Sequence, residues 1–208
     1  QPLRVNELLP NSFVIFKPKD IVSGDFYLVE EVNGFIYIAV VDCTGHGVPG
    51  AMLSVFANSA IKNIITSNNF GTNPAAILSE LCLQFKNNLR GRDTYTSIND
   101  GVDMAIAIVD KENRKLYFAG AKNNLMLIRN ASLHEYLANR WGISGSNTPE
   151  HTKYTNHVIE LLSGDKFYLT TDGLPDQFGG PKGKKFKLKQ LKQILIENSN
   201  LPFQTQSI

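Results

Sequence analysis

The chain holds 208 residues, 42% hydrophobic and 19% charged, proportions that exclude disorder and allow one large domain with a buried core. Lys and Arg number 21 against 19 for Asp and Glu, which argues against a general nucleic-acid surface. Cys43 and Cys82 are the only cysteines, lie far apart and form no CxxC, so reduced thiols and a cytoplasmic setting are expected rather than a disulfide scaffold.

Residues 12–18 read as a short strand closed by Pro18. Two apolar runs, 26–32 and 35–41, flank Asn33-Gly34. That dipeptide is the strongest short-range hairpin signal, because a type I′ turn needs positive φ at both positions. The hairpin sets Asp25 at the start of one strand and Asp42 at the end of its partner, near one end of the sheet. Residues 51–65 carry apolar side chains at helical spacing. Asn73-Pro74 reads as an N-cap followed by Pro at the first helical position, opening a helix to about Leu89.

Residues 102–110 and 115–119 predict a further hairpin, and 125–129 with 134–137 another that turns near Asn130. Residues 157–162 and 166–171 are expected to pair across Ser163-Gly164-Asp165, and a last helix to run over 188–197. No apolar run approaches the roughly 18–20 residues that span a bilayer. Strands come in hairpins and do not alternate with helices. This predicts an α+β fold of two antiparallel β-sheets packed as a sandwich flanked by helices, one domain over residues 1–208.

Three aspartates sit where strand-like runs meet glycine: Ser23-Gly24-Asp25, Val41-Asp42-Cys43-Thr44-Gly45-His46-Gly47 and Thr171-Asp172-Gly173. One Asp-Gly is an ordinary turn signal. Three in this setting read as the acidic floor of a two-metal hydrolase, where divalent ions about 3.5–4 Å apart activate a water. Oxygen donors suit Mn²⁺ or Mg²⁺, and no zinc-type His or Cys spacing is present. Asp176 would stand one helical turn beyond Asp172 and could serve a further ion.

The glycine-rich run 45–50 lacks the ending of a Walker A loop. His46 reads either as a proton donor to a leaving group or as a solvent-facing loop residue. Asp103 is either a support to the metal ligands or simply a polar strand residue. Ser23, Thr44 and Thr171 have no His–Asp relay to make them nucleophiles. The late lysines, Lys182, Lys184, Lys185, Lys187, Lys189 and Lys192, form a solvated helix face or meet an acidic or phosphorylated partner.

The order of these motifs resembles the SpoIIE-like branch of the metal-dependent (PPM, type 2C) serine/threonine protein phosphatases, over about residues 8–195. The residues that carry the resemblance are Val22-Ser23-Gly24-Asp25-Phe26-Tyr27, Val41 through Met52, Asp100-Gly101-Val102-Asp103, Phe118-Ala119-Gly120-Ala121 and Gly164 through Gly173. The resemblance implies a β-sandwich with two Mn²⁺ or Mg²⁺ ions at one end and an optional third. It gives Asp25 and Asp42 as metal carboxylates, with Asp42 as the bridge, and the Cys43 carbonyl as a backbone ligand. Asp172 becomes the later metal aspartate and Asp176 a carboxylate for a third ion; Asp42 and Asp172 are the residues on which catalysis would rest.

The implied reaction is direct hydrolysis of phosphoserine or phosphothreonine on a regulatory protein, such as an anti-sigma antagonist in partner switching. The alternative is a silent module of the same fold that binds a phosphoprotein or an anti-sigma-type partner. An upstream sensor domain in the same chain is expected, with the phosphatase domain cytoplasmic even if the whole is membrane-anchored. One departure stands out: the family's last strand, with its further metal-binding Asp, has no counterpart before Ile208. A sheet edge left open there admits a homodimer.

Overall fold

The computed structural model describes residues 2–67, 70–89, 100–145, 148, 152–179 and 183–206. Helix α1 (Pro2–Leu8) buries Val5 and Leu8. After it, residues 12–18 run without joining a ladder, where a strand was expected. Their aromatic side chains pack on other elements instead: Phe13 against Tyr168 and Phe203, Phe16 edge-on to Tyr27. The expected hairpin follows, β1 (Phe26–Val32) and β2 (Phe35–Cys43), with Asn33 at φ 52° and Gly34 at φ 81°.

Helix α2 (Gly47–Thr66) begins ahead of the expected Ala51. Gly45 and Gly47, at φ 87° and 64°, turn the chain straight from the strand into the helix. Asn73 caps α3 (Pro74–Leu89) as its sequence predicts, its Oδ1 accepting the Ala76 N–H at 3.1 Å. Strands β3 (Gly101–Asp110) and β4 (Lys115–Ala121) form the second hairpin. In the third, Asn130 and Ala131, both at positive φ, join β5 (Leu125–Arg129) to β6 (Ser132–Tyr136).

The larger sheet has the order β1-β2-β3-β4-β8, with β7 (Ile143–Ser144) also on β3 and β8 spanning His157–Glu160. The smaller sheet has the order β6-β5-β9, with β9 spanning Lys166–Leu169. So β8 and β9 do not pair with each other, against expectation; β8 lies on β4 and β9 on β5. The link between them is a crossover from one sheet to the other. Arg129 holds it, donating to both oxygens of Asp165 and to the Glu160 carbonyl. A short ribbon, β10 (Phe178–Gly179) with β11 (Lys184–Lys185), precedes helices α4 (Leu188–Glu197) and α5 (Phe203–Gln206).

Four layers result. One core lies between α2, α3 and the larger sheet, where Ile61, Ile64, Leu78 and Phe85 meet Leu28, Met104 and Ile106. A second fills the space between the sheets, with Val29, Ile36, Ala107 and Phe118 against Leu125 and Leu127. In a third, α4 covers the outer face of the smaller sheet, Leu191 and Leu195 on Met126 and Ile128. Strand β3 is therefore covered on both faces, and Asp103 is its one residue that is not buried. Each fully buried Leu, Ile or Phe contributes about 1.5–3 kcal/mol. Among the described residues no helix is long and apolar enough to cross a membrane.

Candidate metal centre

Strand register builds one side of the site. Phe26 pairs with Val41, so continuing that register one step sets Asp25 opposite Asp42. Asp42 in turn stands opposite Asp103 in β3. Directly opposed residues point to the same face of a sheet. Three aspartates thus form a row across adjacent strands at one end of the larger sheet, facing the smaller one.

The other side comes from the smaller sheet. Thr170, Thr171 and Asp172 follow the end of β9. The Thr171 hydroxyl donates to Asp25 Oδ2 at 2.9 Å, joining segments 146 positions apart. Asp172 stands close enough to Asp42 for their charges to interact, as does Asp25. Burial first, then the charges of Asp25 and Asp172, push the Asp42 carboxyl up to about 8. Among the described residues no three acidic, His or Cys side chains stand at metal-holding spacing. Asp42 is thus in a close group of like charges, with no basic side chain among the causes acting on it.

Backbone oxygens crowd the same corner. A Cβ on Gly24 would come 3.0 Å from the Gly45 carbonyl and 3.1 Å from that of Cys43. A Cβ on Gly50 would fall 2.6 Å from the Gly45 carbonyl oxygen. Glycine at 24 and 50 is therefore what lets the strand entry, the loop and the first turn of α2 close on one another. The Cys43 side chain is buried on the helix side, and burial, then Asp42 and Asp25, push its thiol up to about 12. Cys43 can offer its carbonyl, not a thiolate. The donor set is all oxygen, which suits a hard divalent ion such as Mn²⁺ or Mg²⁺.

Other sequence candidates are placed differently. The Asp176 N–H donates to the Asp172 carbonyl at 2.9 Å, making the single helical turn that spacing predicts. Its carboxylate, however, pairs with Lys185 at 2.7 Å. His46 is exposed at the N-cap of α2 and makes no side-chain cap bond. Thr44 accepts the Gly101 N–H at 3.0 Å, and its hydroxyl approaches Asp100 at 3.4 Å, so it ties the loop to β3. Of the late lysines, Lys182 lies outside the described residues, and Lys192 pairs with Glu135 at 2.8 Å.

A cleft of about 430 Å³ opens beside Asp172, lined among others by Lys122, Asn124, Thr171 and Lys187. Sequence reasoning did not single out Lys122. A lysine after a strand is an ordinary surface residue, and its backbone conformation, φ 67°, is visible only in the folded chain.

A family model described as stage II sporulation protein E (SpoIIE) matches residues 33–207. No curated protein matches the chain. Among solved structures, the SiaA-PP2C domain of Pseudomonas aeruginosa is similar at 32% identity and TM-score 0.87, over 99% of this chain and 79% of that one. The RsbU and RsbW domains of Rv1364c from Mycobacterium tuberculosis match at 17% identity and TM-score 0.71, over 90% of this chain and 49% of that one. RsbX in complex with magnesium matches at 19% identity and TM-score 0.57, over 90% and 85%. The last two likenesses are of fold alone.

Proposed function

The chain belongs to the SpoIIE family, of PP2C-type phosphatase fold, and from that premise we propose that it hydrolyses phosphoserine or phosphothreonine on a regulatory protein. The observation that carries the reading is the gathering of Asp25, Asp42 and Asp172, from three distant segments, at one end of the sandwich. Asp42, at the centre, would be the carboxylate shared between the ions. Asp25, Asp172 and the Cys43 carbonyl would complete the ligands, and Asp176, if released from Lys185, would serve a third ion. Bound Mn²⁺ or Mg²⁺ supplies Lewis-acid activation of water and neutralises the acids.

The chain's own residues do the rest. Thr171 fixes the rotamer of Asp25 through its hydroxyl. Gly24 and Gly50 keep the backbone oxygens within reach. Water bonds to phosphorus as the bond to the serine oxygen breaks; that oxygen leaves with a proton, and inorganic phosphate is released. Membership of the SpoIIE family favours a phosphorylated antagonist of an anti-sigma-type protein as the substrate.

A phosphoserine peptide should lose phosphate in the presence of Mn²⁺ and keep it in excess EDTA. Equal release with and without EDTA would sink the metal reading. Tight binding of a phosphoprotein with no release under any divalent ion would point to the silent module instead. Thr171→Val should cost about 10- to 100-fold in metal affinity or activity, the usual toll for losing a ligand's supporting hydrogen bond. Thr171→Ser, which keeps the hydroxyl, should stay near wild type; calorimetry with Mn²⁺ reads both.

A further inference from the structure

We propose that Lys122 is the cation that grips the phosphate of the substrate, standing beside the carboxylates and not among them. This rests on the phosphatase reading above and adds the group that recognises the phosphoryl oxygens. The Lys122 Nζ donates to Asp103 Oδ2 at 2.9 Å. Asp103 stands opposite Asp42 in the β2–β3 register, and opposed residues hold their Cβ atoms about 4.5–5.5 Å apart. The ammonium is thus tied to the cross-strand neighbour of Asp42, on the face that looks toward the smaller sheet. Lys122 also lines the cleft that Thr171 and Asp172 line, so it shares an open surface with one of the three gathered aspartates.

The backbone gives an independent sign. Lys122 sits at φ 67°, a left-handed conformation that costs any residue with a Cβ and persists where its surroundings impose it. Those surroundings are in place. The Lys122 N–H donates to the Asn139 carbonyl at 2.8 Å, and the Asn139 N–H to the Gly120 carbonyl at 2.9 Å. A Cβ on Gly142 would strike Asp103 Oδ1 and come within 3.4 Å of Lys122 Cε; glycine there leaves room for the ion pair.

Stability does not account for this arrangement. The two side chains are 51% and 32% exposed, and such pairs add little to folding. The electrostatics do account for it. A phosphate dianion carries more negative oxygens than the acid row can engage, and a cation tied to Asp103 offers them a charge-assisted donor. An ammonium carries three donors; Asp103 takes one and aims the rest. Asp103 is therefore a positioning residue and Lys122 a substrate-binding one.

The test is calorimetric titration of inorganic phosphate into the Mn²⁺-loaded protein, alongside KM and kcat on a phosphoserine peptide. Lys122→Met should weaken phosphate binding by about 10- to 100-fold, the usual loss for a charge-assisted hydrogen bond. KM should rise by a similar factor, more than kcat falls, with Mn²⁺ affinity unchanged. Lys122→Arg should recover most of the affinity. Lys122→Gly, which relieves the backbone, should fold at least as firmly as wild type and still lose phosphate.

Wild-type phosphate affinity in both Lys122→Met and Lys122→Gly would overturn the proposal, as would failure of the wild type to bind phosphate. Phosphate held through Lys122 without peptide turnover would leave Lys122 in its role and remove the phosphatase reading. Peptide turnover with KM and phosphate affinity untouched by Lys122→Met would do the reverse.

Discussion

Asp42→Asn should lower turnover on the order of 10³-fold, since metal activation is worth several kcal/mol and each 1.36 kcal/mol is tenfold. The same change should raise the melting temperature in EDTA. Asp42 lies among acids, and burial, then Asp25 and Asp172, push its carboxyl up to about 8. A carboxyl raised above its unfolded value of about 3.9 gives stability that is complete below that value and lost as pH climbs toward 8. The advantage of Asp42→Asn in EDTA should therefore widen from pH 5 to pH 8. Adding Mn²⁺ should reverse the order, stabilising wild type and not the variant. Thermal melts at two pH values, with and without Mn²⁺, check both halves. A variant that melts lower than wild type in EDTA at pH 8 would show that Asp42 is not held among uncompensated acids.

Asp165→Ala should lower Tm by several degrees, because it removes the carboxylate that Arg129 and the Leu162 N–H both bond. The Asp165 side chain is 4% exposed and that of Arg129 26%. Removing the carboxylate leaves the guanidinium with the Glu160 carbonyl and solvent, and strands the Leu162 N–H, which Asp165 accepts at 2.8 Å. Burial by itself would raise the Asp165 carboxyl, but the Arg129 hydrogen bonds and the Leu162 N–H together hold it below the usual range. A lowered carboxyl gives stability that is present above about pH 4 and lost as pH falls through the folded value. The gap between wild type and Asp165→Ala should accordingly close in acid. A gap that persists at pH 2 would assign the loss to packing and not to the ion pair. Because this clasp sets the crossover into β9, catalytic loss should follow unfolding and not precede it.

Much of the site is legible residue by residue. Asn33-Gly34 predicts the hairpin that sets Asp25 against Asp42, because the demand for positive φ is local and few residues meet it. Asn73-Pro74 marks the start of α3 for a similar reason. The sandwich itself follows from strands that come in hairpins. Two placements resist such reading. Residues 157–162 and 166–171 carry the pattern of a hairpin, yet β8 and β9 enter different sheets. The edges of β4 and β5 compete for them, and Arg129, distant in sequence, clasps the link. Residues 12–18 have strand composition, but their aromatic rings pack over Tyr27, Tyr168 and Phe203, and no ladder forms.

Sequence alone determined the kind of chemistry available: oxygen donors at strand ends, glycines where backbone must pass close, and no thiolate or imidazole set to compete with them. The tertiary structure decided which of those donors meet, turned Asp176 toward Lys185, and tied the Lys122 ammonium to Asp103 at the end of the acid row. Turn and cap preferences act over a few residues and are written locally. The meeting of Thr171 with Asp25 depends on how two sheets close over a shared core, and that closure is settled by packing between residues far apart in the chain.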